Sequence, residues 1–333
     1  MAKRSLRADE RLAWLRLSRS EQVGPATFRR LIAAFGTAQT VIEALPELSR
    51  RSRGRPIELH SADAAEQEVD RLTTMGGRLI AKGEPDYPDP LAAIEDAPPV
   101  ISVLGRIDLL PRPLVAVVGA RNASANGRFL AETLARQLGE LGWVVVSGLA
   151  RGIDREAHEG CVAAEGRSVA VLGNGIDMIY PASSRGAAAA LLDFGGAIVS
   201  EYPPGVPPLR WHFPARNRII SGLCRGVVVV QAPEKSGALF TAEYAADQNR
   251  DLWVHAAGTV GSTGAGTRRL AESGAPAIHG AKAIFRDWGI IPPPTRPHDP
   301  PAGISEGRRL AAVVKEEIDG TCARRAGEAY WRT

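Results

Sequence analysis

The sequence predicts an α/β chain: a doubly wound, mostly parallel sheet preceded by a small all-α domain. Three observations carry this. Six short runs rich in Val, Ile and Leu recur from residue 114 onwards: LVAVVG (114–119), WVVVSG (143–148), SVAVLG (168–173), AIVSEY (197–202), GVVVVQ (226–231) and DLWVHA (251–256). These runs are continuously apolar rather than alternating, which marks strands buried on both faces. Helical patterns separate them, near 127–141, 154–165, 185–193, 215–223, 237–249 and 266–273, as the crossovers between parallel strands require.

Residues 1–55 read as the helical domain. Leu12, Leu15 and Leu17 lie near one apolar face, and Gly24-Pro25 marks a turn. Thr27 to Ala34 is helical, Gly36 stops that helix, and Thr37 is placed to cap the next. Helix, Gly-containing turn and helix resemble a helix-hairpin-helix or SAM-like unit, whose turn can present N–H groups to a DNA phosphate. A plain helical bundle packed on the main domain is the competing reading. Residues 56–113 are expected to be a connector: the end of a basic, Pro/Gly-containing stretch (RRSRGRPIELH), a helix, a short strand from Arg78 to Ala81, and a Pro-rich crossing into the sheet. The sheet domain spans 114–290. Residues 291–333 begin with the Pro-rich linker IPPPTRPHDP and end in a short tail expected to be helical, with RRLAAVVKEEI (308–318) as its amphipathic helix.

Composition bounds the function. The 333 residues hold 41 Lys and Arg against 37 Asp and Glu, too mild an excess to imply a polyanion partner on its own. The distribution is more telling. Residues 1–60 carry 12 basic and 6 acidic side chains, and residues 205–225 carry four arginines with no carboxylate. Cys161, Cys224 and Cys322 form no CxxC pair and no cluster with histidine, so neither a disulfide framework nor a zinc site is expected. The charged start MAKRSLRADE has no apolar core, and no run approaches the 18–20 apolar residues of a membrane span. A reduced, cytoplasmic, soluble protein is expected, with no metal and no cofactor.

In open parallel sheets ligands bind beyond the carboxyl ends of the strands. The first strand is followed by Gly119-Ala120-Arg121-Asn122 and the second by Ser147-Gly148-Leu149-Ala150-Arg151-Gly152. The third leads into Gly173-Asn174-Gly175, and the fifth towards Lys235-Ser236-Gly237. Glycine at strand ends lets a backbone approach a ligand closely, and helix N-termini beside it favour anions. Arg121, Arg151, Arg216, Arg218 and Lys235 add full charges, so the rim is expected to bind phosphates. GARNASANG is not GxGxxG, and no Lys-Ser/Thr pair follows a GxxxxG, which disfavours NAD and ATP.

The loop PPGVPPLRWHFPARNR, after the fourth strand, is the most distinctive segment. Prolines stiffen it, and Trp211, His212 and Phe213 lie between Arg210 and Arg216. Aromatics that stack bases beside arginines that hold phosphates suit an unpaired nucleic-acid strand. For Trp211 the alternative, a ring pinning the loop to the core, weighs equally. His158 reads as a structural helix histidine and Asp154 as the N-cap of its helix. Glu201 is placed either to bind a sugar hydroxyl or to orient Arg216 or Arg218. Neither Ser147 nor Ser236 has a His/Asp partner by spacing, so no catalytic residue is expected.

At these residues the chain resembles the DprA/Smf family of DNA-processing proteins. VAVVGARNAS, VVSGLARGIDREAH, SVAVLGNGIDMIYP, SEYPPGVPP, HFPARNRIISGL and EKSGALFTAEYAADQNR occur in family order over about 170 residues. The resemblance implies an extended Rossmann-like fold behind a SAM-like domain, and a non-enzymatic protein that binds single-stranded DNA in a basic pocket. It also implies a homodimer that protects incoming DNA and loads the RecA recombinase during natural transformation. The pocket arginine of the family's GxR motif falls on Arg121. The basic and aromatic residues of its FPxRNR loop fall on Arg210, Phe213, Arg216, Asn217 and Arg218, and Lys235, Ser236 and Gly237 match the loop after the fifth strand. Many members end in a winged-helix-like domain. The roughly 33 residues after the linker are too few for one, so double-stranded DNA contacts of that kind are not expected.

Two other functions compete. KSGALFTAE is similar to the PGGxGTxxE loop of LOG-type phosphoribohydrolases, with Glu243 as the candidate acid, although the paired glycines are absent. A sensor of a nucleotide-derived signal could use the same rim.

Overall fold

The computed structural model describes residues 3–51, 57–291, 322–325 and 328–331. The chain forms two compact units, Met1–Pro293 and Pro294–Thr333.

The first unit opens with three helices, α1 (Ala8–Arg19), α2 (Pro25–Phe35) and α3 (Ala38–Arg51). They bury Ala13, Leu17, Val23, Phe28, Val41 and Leu45 against one another. The turn signals act as the sequence predicts. Gly36 ends α2 at φ +82°, and the Thr37 hydroxyl accepts a hydrogen bond from Thr40 N–H at 3.1 Å. A fourth helix, α4 (Ala62–Thr74), follows. Leu15 of α1 and Leu72 of α4 join the core of the main sheet. Two ion pairs hold this junction. Arg11 bonds Glu84 at 2.5 Å, and Arg19 bonds Glu68 at 2.8 Å while donating to the Glu201 carbonyl at 3.0 Å.

The sheet has nine strands, β1 (Arg78–Ala81), β2 (Val100–Gly105), β3 (Leu114–Val118), β4 (Val144–Ser147), β5 (Ser168–Leu172), β6 (Ala197–Ser200), β7 (Gly226–Val229), β8 (Asp251–His255) and β9 (Ala277–Ile278). Their spatial order is β1-β2-β6-β5-β4-β3-β7-β8-β9. β3 to β9 pair in parallel, and β2 joins β6 antiparallel, with Val103 opposite Val199. The connector expected over 56–113 therefore supplies two strands of the sheet. β2 is hidden in the sequence by Pro98 and Pro99. These lie just before the strand, where no ladder N–H is needed.

Helices cover both faces, which is why the strands lack alternation. Val115, Val117 and Val145 pack beneath α6 (Ala125–Glu140) and α7 (Ile153–Ala163). Ala116, Val118, Val144 and Val146 face α9 (His212–Leu223) and α10 (Ala238–Asp247). Shorter helices complete the layers: α5 (Asp89–Ala93), α8 (Arg185–Asp193), α11 (Ala265–Glu272) and α12 (Ala281–Asp287). α9 begins three residues before the expected start at 215. Pro214 sits in its first turn, where N–H groups have no intrahelical partner and proline is tolerated.

In the second unit, β10 (Cys322–Arg325) and β11 (Glu328–Trp331) form an antiparallel pair with Arg325 opposite Glu328. This end of the tail was expected to be helical. Tyr330 and Trp331 belong to the residue types that favour strands. The helix expected over 308–318 lies outside the described residues.

Candidate nucleic-acid interface

Strand order reverses between β3 and β7, so the switch-point crevice lies between their carboxyl ends. Gln231, at the end of β7, fills it. Its carbonyl accepts Ala120 N–H at 2.7 Å, its Oε1 accepts Ser124 N–H at 2.8 Å, and its Nε2 donates to Ser124 Oγ at 2.9 Å. Ser124 Oγ in turn accepts Gly127 N–H at 3.0 Å, capping α6. A Cβ at Gly127 would collide with the Gln231 amide. The helix terminus that receives a phosphate in nucleotide-binding sheets is thus satisfied from within.

The open cleft lies one step along the rim, over the ends of β3, β4 and β5. It has a volume of about 300 Å³ and is lined by Arg121, Gly148, Ala150, Arg151, Tyr180, Pro181, Ser183, Phe213 and Arg216. Arg121 projects from the loop after β3, which is pinned on one side by Gln231 and on the other by the bond from Ile153 N–H to the Ala120 carbonyl. Its Cζ lies 5.1 Å from the centroid of the Phe213 ring. Tyr180 meets the same ring at 5.7 Å. Arg151 is presented by an unusual turn. Buried Leu149 holds φ +56° and Gly152 φ +77°. A left-handed Leu persists only where packing over-determines it, and here its side chain belongs to the core under β5 and β6.

Arg216 is the buried post of the site, 3% exposed. Its Nη1 donates to the Gly148 carbonyl at 2.9 Å and to the Val171 carbonyl, tying α9 to the ends of β4 and β5. Burial lowers its pKa to about 10, partly offset by Asp154, so it remains a cation at neutral pH. Asp154 is not the N-cap of α7, a place taken by Gly152. Its carboxylate accepts Gly148 N–H at 3.2 Å, and burial raises its pKa against the pull of Arg216. The turn around Gly152 puts Asp154 inside the helix, two positions after the cap.

Most of the expected glycines are required by close packing within the protein. The space a Cβ would need is taken by Ile153 at Gly119, by Arg216 at Gly148, by the Ala120 carbonyl at Gly152 and by Phe213 at Gly173. Gly237 is exposed, with nothing near its Cβ position. Ser147 is buried and donates to the Val117 carbonyl at 2.7 Å. Ser236 Oγ accepts Ala238 N–H at 3.3 Å beside exposed Lys235. Asn217 links α9 to that loop through its bond to the Gly237 carbonyl at 3.2 Å.

Arg218 does not line the cleft. It is buried, clamps both Glu201 oxygens at 2.7 Å and pairs with Asp96 at 3.1 Å. Glu201 therefore orients Arg218, and a phosphate contact by Arg218 would require breaking that clamp. By contrast, Arg121, Arg151, Arg210 and Lys235 are exposed, and none forms an ion pair with another described residue. His158 is buried against Ser168 Oγ at 2.6 Å, and burial lowers its pKa to about 3, so it is a neutral structural group. Glu243 lies outside the cleft, on an apolar groove with Leu252 and Leu270. Among the described residues no cluster of His, Cys, Asp or Glu could hold a metal ion, and no helix is long and apolar enough to cross a membrane.

Tyr180, Pro181 and Ser183 were not anticipated. Their signal is the Tyr-Pro step that follows the third parallel strand at some distance, past the point where strand ends are ordinarily read. Gln231 gave no signal, because its role depends on two strands distant in sequence becoming neighbours.

A family model described as DNA recombination-mediator protein A matches residues 78–289, and one described as the DprA-like N-terminal HHH domain matches residues 8–70. Protein Smf of Synechocystis sp. is 35% identical over 298 residues, covering 85% of this chain and 74% of that protein. DNA processing protein DprA of Streptococcus pneumoniae is 40% identical over 205 residues, 61% of this chain and 71% of that one. The crystal structure of the S. pneumoniae protein aligns with a TM-score of 0.63 at 31% identity, over 80% of this chain and 87% of that one. DNA processing protein A from Helicobacter pylori, whose structure concerns its single-stranded DNA binding mode, aligns with a TM-score of 0.57 at 28% identity, over 64% of this chain and 95% of that one. The helical domain and the extended Rossmann-like sheet follow in the order those two models describe, and the chain belongs to the DNA recombination-mediator protein A (DprA/Smf) family.

Proposed function

We propose that this chain binds single-stranded DNA along the carboxyl rim of its sheet and acts as a recombination mediator. In this reading it is a homodimer that shields incoming DNA and passes it to the RecA recombinase during natural transformation. The observation that carries the reading is the cleft itself. Arg121 and Arg151, cations without a carboxylate partner among the described residues, flank the half-buried Phe213 ring, while the crevice a mononucleotide phosphate would take is filled by Gln231. Arg210, in the loop after β6, and Lys235, in the loop after β7, are further exposed cations on the same rim, which suits a chain of phosphates rather than one. Membership of the family and likeness to the H. pylori protein support DNA as the polymer. The protein's role is binding, and no group in the cleft is assigned to catalysis.

A competition measurement tests this. Fluorescence anisotropy of a labelled oligothymidylate bound to the chain is expected to fall on adding unlabelled single strand. It is expected to hold when a nucleoside monophosphate is added at the same nucleotide concentration. Displacement by the monophosphate alone, or release of free base from it, would replace the reading with that of a nucleotide sensor or a phosphoribohydrolase.

A further inference from the structure

We propose that Trp211 is a second base-stacking station, outside the cleft, for the nucleotide adjoining the one held at Phe213. The inference rests on the single-stranded DNA reading and adds to it a residue and a strand path.

Trp211 is 68% exposed, against 47% for Phe240 and 46% for Tyr180 and Phe194. Keeping an indole in water forgoes the stabilisation that burying a large apolar side chain provides, so its position calls for an explanation. The ring is not loosely held. It stands at the N-cap of α9, after a stretch containing Pro203, Pro204, Pro207 and Pro208, and the next residue's N–H bonds the Leu209 carbonyl at 3.0 Å. Its ring plane is nearly perpendicular to that of His212, with centroids 6.0 Å apart, and His212 is itself stacked on Tyr202 at 4.0 Å. The indole thus stands against a neighbour that is itself held by stacking, on backbone restrained by the prolines and the helix start. A rigid ring of this kind binds a flat partner with little loss of side-chain freedom.

Charge selects the partner. Arg210 beside it is exposed and has no ion pair with another described residue, and no Asp or Glu occurs between Glu201 and Glu234. An anionic chain carrying flat groups meets both conditions, whereas an uncharged apolar segment would leave Arg210 unused. Trp211 is also continuous with the cleft. It lies two residues from Phe213 across the N-terminus of α9, where no side chain caps the first turn. A phosphate joining two stacked nucleotides would face that positive helix end with Arg210 beside it. Trp211 thus sets the direction in which the strand leaves the cleft.

The test measures oligothymidylate binding to the full chain, its Trp211→Ala and Trp211→Phe variants and, in parallel, Arg121→Ala, with titrations at several salt concentrations. Trp211→Ala is expected to bind roughly 5- to 150-fold more weakly, the range for removing one stacked base. Its dependence on salt should match the parent, because no charge is lost. Trp211→Phe should regain most of the affinity, and indole quenching on binding should be smaller in that variant than in the parent. Unchanged affinity in Trp211→Ala while Arg121→Ala weakens binding would overturn the second station and leave the cleft standing. Unchanged affinity in both would remove the single-stranded DNA reading itself. If Trp211→Phe binds as poorly as Trp211→Ala, the ring acts through loop position and the stacking proposal fails.

Discussion

Arg121 lies over the face of Phe213, 5.1 Å from the ring centroid, although one residue comes from the loop after β3 and the other from the first turn of α9. The two chemistries the proposed function calls for, charge and stacking, are thereby in contact. Their contributions are separable by salt. Arg121→Ala should weaken single-strand binding and reduce the slope of log K against log salt by about 0.7, the value for one phosphate on a single strand. Phe213→Ala should weaken binding by about 1–3 kcal/mol with the slope unchanged. Equal slopes in both variants would show that Arg121 makes no phosphate contact.

Gln231 holds the Arg121 loop from below. Gln231→Ala removes both bonds to Ser124 and takes a partner from part-buried polar groups at the start of α6. A loss of about 1–3 kcal/mol in urea unfolding is expected, together with weaker DNA binding as the loop loosens. Unaltered stability would mean that water replaces the amide without penalty.

Arg218 and Arg210 lie in one short basic segment and should behave in opposite ways. Arg218→Ala leaves the Glu201 carboxylate without its clamp and should destabilise the fold by about 2–4 kcal/mol. Arg210 is exposed, so Arg210→Ala should leave the melting temperature in place and lower the salt slope of binding by about 0.7. The reverse pattern in thermal melts and binding titrations would contradict both assignments.

His158 makes stability depend on acid. Its folded pKa is lowered to about 3 from 6.5 by burial, with a smaller push from the Arg216 charge. Between these values the unfolded chain binds a proton that the folded chain does not, so this group's contribution favours unfolding increasingly as pH falls from 6.5 towards 3. The slope approaches about 1.4 kcal/mol per pH unit within that window. His158→Gln should flatten this limb in unfolding measurements at pH 7, 5 and 4. An unchanged limb would show that His158 is protonated in the folded state.

The sheet was readable from 114 onwards because strands buried on both faces leave continuous apolar runs, and each of the six runs became a strand within one or two residues of its limits. β9 was too short to stand out, and the prolines before β2 concealed a strand that pairs with β6, nearly 100 positions away. In the cleft, charge type and position were legible, while burial was not. Arg216 and Arg218 read alike in sequence, yet the first ties strand ends beneath the cleft and the second is committed to Glu201 and Asp96. Strand-end glycines indicated close approach, but not that a side chain of the protein makes it, as happens at Gly119, Gly148 and Gly173.

The central claim, a track for several phosphates rather than a pocket for one nucleotide, is tested most directly by a salt titration of oligothymidylate binding at increasing length. The account predicts that affinity rises with length until the rim is covered, and that the salt slope grows with it to a value set by several phosphates, about 0.7 for each. Affinity independent of length beyond a single nucleotide, with a slope no larger than that of one phosphate, would contradict it.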